Sequence, residues 1–209
     1  MGARRTQKQR RDGTIAALYQ ATIECIASLG YGGATTTQIC ATAGVTTGAL
    51  FRYFPTRQAL MASVAAEIGA RHLARFQALV AGDEPDPTGN SDRIGALVRF
   101  CRDATRDTTS VAWHAILVAA RADPVLREAA REPLRTFESS VIAMAPQLLP
   151  GPARDPLRLG TMVLTMLHTF DSESLTVSVL ENPAVEQARI GWFVEMLERE
   201  VAWQSDLND

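Results

Sequence analysis

The residues whose types and spacing point most directly to a chemistry lie between Thr35 and Arg57, in the run TTTQICATAGVTTGALFRYFPTR. Two short helices, about Thr36–Ala43 and Thr46–Phe54, fit this run, with a tight turn at Gly44 between them. That is the pattern of a helix-turn-helix unit. Glycine suits the turn because it reaches positive φ without a steric penalty. Ile39, Val45, Leu50 and Phe54 are spaced to fill a small core between the helices, and Cys40 falls at their crossing, where a small side chain is needed. The outward face of the second helix then keeps Thr46, Thr47 and Ala49. A threonine presents a hydroxyl to a phosphate or base and a methyl to thymine, so the chemistry is contact with duplex DNA rather than bond making. Taken alone, Phe51, Tyr53 and Phe54 read equally well as core aromatics.

A second group of residues could form a small-molecule pocket: Phe100, Trp113, His114, Phe137, Met144, Met162, Met166, His168 and Phe170. Aromatics and methionines with one or two polar groups are the usual lining of such a site, although each residue singly is also an ordinary core residue. A histidine on an apolar helix face needs a partner, which can be a carbonyl or threonine as well as a ligand. Catalytic and metal chemistry are not expected. Metal sites in helical bundles use a Glu three residues before a His, and neither His114 nor His168 has one. No nucleophile motif and no phosphate-cradling glycine loop is present, so no cofactor is implied. Three cysteines without a CxxC pair fit neither a disulfide framework nor a zinc site, and suit a reducing cytoplasm.

The elements that must position these groups read as helical throughout, an all-α fold. Asp123-Pro124, Asp155-Pro156 and Asn182-Pro183 each place a capping side chain before a proline at the first helical position. A first helix is expected from about Asp12 to Leu29, with Ile15, Leu18, Tyr19, Thr22, Ile23 and Ile26 on one apolar face and Gly30 closing it. Thr56 can cap a long helix from Arg57 to about Val80, burying Leu60, Val64, Ile68, Phe76 and Leu79. Later helices are expected at Asp92–Arg106, Ser110–Arg121, Pro124–Ala145, Pro156–Leu180 and Pro183–Gln204, with Pro133 bending or splitting the third of these. Residues Gly82–Ser91 read as a loop.

Composition agrees with a globular chain: of 209 residues, 46% are hydrophobic and 21% charged, which excludes general disorder. The longest stretch without an ionised side chain, Cys25 to Phe51, is rich in Thr and Gly and does not read as a membrane span. The basic start has no apolar segment behind it, so a secretory leader is not expected either. The net charge of −2 divides unevenly: residues 1–60 carry +5 and the remainder −7. A basic head on an acidic body suggests that only the head meets a polyanion. Arg4, Arg5, Lys8, Arg10 and Arg11 read either as an arm reaching a minor groove or as a solvated tail.

The run Gly44-Val45-x-x-Gly48-x-Leu50-Phe51-Arg52-Tyr53-Phe54-Pro55-x-Arg57-x-x-Leu60 resembles the DNA-binding signature of the TetR family of bacterial transcriptional regulators. With the preceding helix, the resemblance covers about residues 12–62. It implies a helix-turn-helix DNA-binding domain over residues 1–57, three-helical apart from its basic arm. A helical ligand-binding and dimerisation domain would follow over residues 58–209. It further implies that Thr36 contacts a phosphate, that Thr46, Thr47 and Gly48 open a recognition helix in the major groove, and that Ala49 lies against a base or sugar. Tyr53 and Arg57 would hold the backbone. Phe51 stands where the family usually has Tyr, which removes a hydroxyl. Cys40 replaces the usual Ala and Arg57 the usual Lys.

Leu159–Phe170 contains no ionised residue over three helical turns, and the last helix has two apolar rows: Ile190, Phe193, Val194, Leu197 and Val201, and Trp192, Met196 and Trp203. Two apolar rows need two covering surfaces, either within one subunit or across a two-fold axis, and the resemblance implies the second. The expected function is therefore a homodimeric cytoplasmic repressor that reads a near-palindromic double-stranded operator and is released by a small-molecule effector. The alternatives are a DNA-binding dimer without a ligand and, further off, a helical-bundle enzyme or carrier.

Overall fold

The computed structural model describes residues 6–81, 93–148 and 155–206. Among them are nine α-helices and no strand: α1 (Gln7–Gly33), α2 (Thr36–Ala43), α3 (Thr47–Tyr53), α4 (Arg57–Ala81), α5 (Arg93–Ala104), α6 (Thr108–Ala122), α7 (Pro124–Leu148), α8 (Pro156–Val177) and α9 (Pro183–Asp206). The expected loop over Gly82–Ser91 and the first arginines of the basic run, Arg4 and Arg5, lie outside the described residues.

The helix starts follow from local chemistry. The first backbone N–H groups of a helix have no partner within it, and a short polar side chain just before them supplies one. Asp123 Oδ1 accepts from the N–H groups of Val125 and Leu126, each at 3.0 Å. Asp155 Oδ1 accepts from Arg158 N at 2.9 Å, Asn182 Oδ1 from Val185 N at 3.3 Å, and Thr56 Oγ1 from Ala59 N at 3.0 Å.

Two boundaries differ from the sequence expectation. Helix α1 starts at Gln7, not near Asp12, because Thr6 and Gln9 form a reciprocal capping box: Gln9 N donates to Thr6 Oγ1 at 3.2 Å and Thr6 N to Gln9 Oε1 at 2.9 Å. Gly30, at φ +71°, still interrupts α1, and one further turn reaches Gly33. Helix α7 is not split at Pro133. A proline removes one ladder bond, and buried residues on either side of it, Leu126 and Ala130 before and Val141 and Ala145 after, hold both halves helical.

Packing divides the chain into two units, one comprising Met1–Gly69 with Thr108–Leu134 and the other Ala70–Asp107 with Arg135–Asp209. Helices α4 and α7 each run from one unit into the next. In the first unit α1 packs against α2 and α6, and α2 against α3. Its interior includes Leu18, Ile23, Ile26, Ile39, Leu50, Leu60, Val64, Ile68 and Ile116, all essentially inaccessible. In the second unit α5 packs against α8 and α9, around a core that contains Phe76, Leu97, Val98, Val163, Met166, Phe170, Phe193 and Leu197. Helices α7 and α8 approach so closely there that a Cβ on Gly160 would stand 2.6 Å from Ile142 Cα.

Candidate nucleic-acid interface

The α2–α3 pair is built from caps and one turn. Thr35 caps α2, its Oγ1 accepting from Gln38 N at 3.2 Å. Gly44 ends α2 in the left-handed region, at φ +67°, a conformation that costs other residues about 1–2 kcal/mol. The chain emerges at Thr46, whose Oγ1 accepts from Ala49 N at 3.1 Å and so begins α3. Leu50 and Phe54 are buried beneath α3, and the Phe54 ring meets Tyr19 of α1 at 5.8 Å between centroids. Cys40 is buried, as the helix crossing requires.

What faces outward is short and mostly uncharged. Thr46, Thr47 and Gly48 are exposed, and Ala49, Thr36 and Tyr53 are half-buried. Phe51 is 45% exposed, so it is a surface aromatic of α3 rather than part of the core. The Thr46 hydroxyl uses an acceptor lone pair on the cap and keeps its proton for an external oxygen. Arg57 is placed differently from the other site residues. Its guanidinium lies over the Tyr31 ring at 4.2 Å, its Nε donates to the Ala34 carbonyl at 3.3 Å, and its Nη2 donates to the Tyr31 carbonyl. It therefore ties the start of α4 to the turn between α1 and α2. The Tyr31 hydroxyl has its pKa raised, chiefly by burial.

Sequence reading missed the first turns of α1. Lys8, Arg10 and Arg11 stand on a capped helix rather than on an arm or tail, and they share one groove with Arg52 and Tyr53 of α3. The signal was the Thr6-x-x-Gln9 spacing, which is a helix start with its own mechanism.

The nine pocket candidates are divided by the fold. Trp113 and His114 belong to the first unit, and the other seven to the second. Met166 and Phe170 are fully buried core residues. His168 is exposed, in a groove between α8 and α9 with Thr165, Thr169 and Arg189, and not on an apolar face. Helix α8 is not covered all round by the rest of the chain, and Thr161, Thr165 and His168 occupy its open side. Phe100, Phe137, Met144 and Met162 are partly buried around the core of the second unit.

The same unit holds a charged cluster. Arg106 donates to Glu173 at 2.5 Å and to Glu186 at 2.9 Å, and Arg189 pairs with Glu173 from the other side. Among the described residues no group of three or more His, Cys, Asp or Glu is placed to hold a metal ion, and no helix is long and apolar enough to cross a membrane.

Residues 18–64 match the family model described as "Bacterial regulatory proteins, tetR family". An uncharacterized HTH-type transcriptional regulator of Mycobacterium tuberculosis is 35% identical over 194 residues, which are 92% of this chain and 97% of that protein. The fold is similar to that of a transcriptional regulator from Rhodococcus sp. (TM-score 0.64, 20% identity, covering 89% of this chain and 96% of that one). It is also similar to Bacillus subtilis FadR in complex with stearoyl-CoA (TM-score 0.58, 15% identity, covering 86% and 97%).

Proposed function

This chain belongs to the TetR family of bacterial regulatory proteins, and we propose that it acts as a homodimeric cytoplasmic repressor released from its operator by a small molecule. The observation that carries the DNA half of this reading is the exposed start of α3, held by the Thr46 cap and the Gly44 turn. Thr46, Thr47, Gly48 and Ala49 enter the major groove, and Phe51 lies against sugar or a thymine methyl. Thr36 and Tyr53 bind phosphates. Arg57 serves these contacts as a positioning residue, by fixing α4 against the turn before α2. Residues 1–57 make up the DNA-binding head, and residues 58–209 the ligand-binding and dimerisation body.

The dimer reading rests on the α8–α9 face. The row Ile190, Phe193 and Leu197 is buried within the subunit, while Trp192 and Trp203 are 57% and 47% exposed. Around them lie Thr161, Met162 and Met196, with the ionised side chains of Arg158, Glu195, Arg199 and Glu200 at the edges of the same groove. Exposed tryptophans and partly buried methionines bordered by both acidic and basic side chains suit a self-complementary interface, in which the two signs can pair across a two-fold axis. Two heads on one dimer then read a near-palindromic operator.

For the effector, Phe100, Phe137, Met144 and Met162 are the best wall, being packed on the core without being consumed by it. An apolar molecule bound there would favour one body conformation and so shift the heads, a coupling of about 1–3 kcal/mol in comparable systems. FadR, with its bound stearoyl-CoA, is a precedent on this fold for a ligand that carries a long apolar chain.

In vitro selection from random duplexes tests the reading. An inverted repeat should be enriched, and the purified chain should retard it as a dimer. Selection that enriches no sequence would overturn it. A compound screen on the selected operator separates the two halves: no compound that lowers affinity would leave a ligand-independent DNA-binding dimer.

A further inference from the structure

We propose that the groove between the first turns of α1 and the end of α3 is a second track for the DNA backbone, gripping phosphates beside the stretch that α3 reads. The proposal rests on the DNA-binding reading above and adds a surface to it. The groove encloses about 840 Å³, and its walls bring Lys8, Arg10 and Arg11 of α1 together with Arg52 and Tyr53 of α3. No carboxylate lines it among the described residues.

Helical geometry explains the gathering. At about 100° per residue, Gln7, Lys8, Arg10, Arg11, Thr14 and Ile15 all fall within one half of the helix circumference. From residue 7 to residue 15 the helix rises about 12 Å. One DNA strand advances about 3.4 Å per phosphate along the duplex, so that length matches on the order of three phosphates. The Tyr19–Phe54 ring contact pins α1 to α3 and forms the floor, and the Thr6–Gln9 capping box keeps the cations on a formed helix. They are thus pre-positioned, and less side-chain and backbone freedom is lost on binding than a flexible tail would lose.

The occupant follows from continuity. Arg52 and Tyr53 sit on the recognition helix itself, so a backbone that passes Tyr53 reaches Arg52, Arg11 and Lys8 without leaving the duplex. Because these groups are point charges and hydroxyls with no base to read, the track adds affinity and salt dependence but no sequence information.

The test compares the full chain with Lys8→Gln/Arg10→Gln/Arg11→Gln and with a control, Arg121→Gln/Arg127→Gln/Arg131→Gln, which removes the same charge from exposed sites on α6 and α7. Affinity for the selected operator is measured across a salt series, and phosphate-ethylation interference is mapped for each protein. For the α1 variant the slope of log K against log salt should become shallower by about 2–3 for each head, and so by about 5 for the dimer on its two half-sites, since each phosphate contributes about 0.9. Affinity at low salt should fall by about 10–100-fold, the ranking of operator variants should hold, and interference at two or three outer phosphates should vanish. The control should keep the parent slope within about half a unit. An α1 variant with the parent slope and interference map would overturn the track alone, as would a control that loses as much as the α1 variant. A parent chain that selects no operator would overturn the regulator reading and the track with it.

Discussion

The head and the α8–α9 face both carry exposed threonines, and they use them in opposite ways. On α8 the hydroxyls of Thr161, Thr165 and Thr169 donate back to the carbonyls of Leu157, Thr161 and Thr165, at 2.7–2.8 Å. Their polarity is spent inside the helix, and methyls are left outside. On α3 the Thr46 hydroxyl accepts from a backbone N–H and retains its proton for a partner. A threonine in mid-helix thus makes a surface that another protein can cover. A threonine at a helix start makes one that an oxyanion can meet. The surroundings differ as well: the helix that Thr46 begins ends in a groove with Lys8, Arg10, Arg11 and Arg52, whereas Thr161 lines a groove with Trp192, Met196 and Trp203.

The sharpest way to break this contrast is to place charge at the centre of the tryptophan face. Trp192→Glu combined with Met196→Glu should convert the dimer to monomer by sedimentation, and lower affinity for a two-half-site operator by at least about 100-fold, while half-site binding changes little. A variant that stays dimeric would place the interface elsewhere. Next in size is the α7–α8 contact. Gly160→Ala puts a methyl into Ile142 and should cost about 1–3 kcal/mol through overpacking, lowering the thermal midpoint by about 2–4 °C per kcal/mol. In the head, Arg57→Lys keeps the charge but loses the planar fork over Tyr31. It should destabilise by about 1–2 kcal/mol in thermal unfolding and weaken binding to all sequences alike. The smallest pair of effects separates backbone from base contacts. Tyr53→Phe should weaken every operator variant by about 3–10-fold, whereas Thr47→Ala should change their ranking, a difference of about 1 kcal/mol in competitive selection.

Much of the fold is legible in the sequence alone. Asx-Pro pairs specify helix starts within a few residues of chain, and the Ile39, Leu50 and Phe54 spacing specifies the helix-turn-helix core by periodicity alone. The two rows of α9 are likewise readable, but it is packing that puts Ile190, Phe193 and Leu197 inside and leaves Trp192 and Trp203 exposed. The start of α1 escapes a periodicity reading because residues 7–11 carry no apolar side chain, and the Thr6–Gln9 capping box alone marks it. The pocket was hardest. Met166, Phe170 and His168 lie within five residues of one another on α8, yet the first two are buried and the third is exposed. Their separation depends on which neighbours cover each side of the helix.

Local chemistry therefore decided where the helices begin and how the α2–α3 turn is made, because caps, turns and periodicity act over a few residues, whereas the exposure of Phe51 beside the buried Phe54 was decided by packing. Only the tertiary structure decided that Arg57 is spent on Tyr31 and Ala34, that Arg52 shares a groove with Lys8, and that α7 and α8 touch at Gly160. Those pairings join residues about 20 to 45 positions apart, and such contacts exist only when separate helices are packed together.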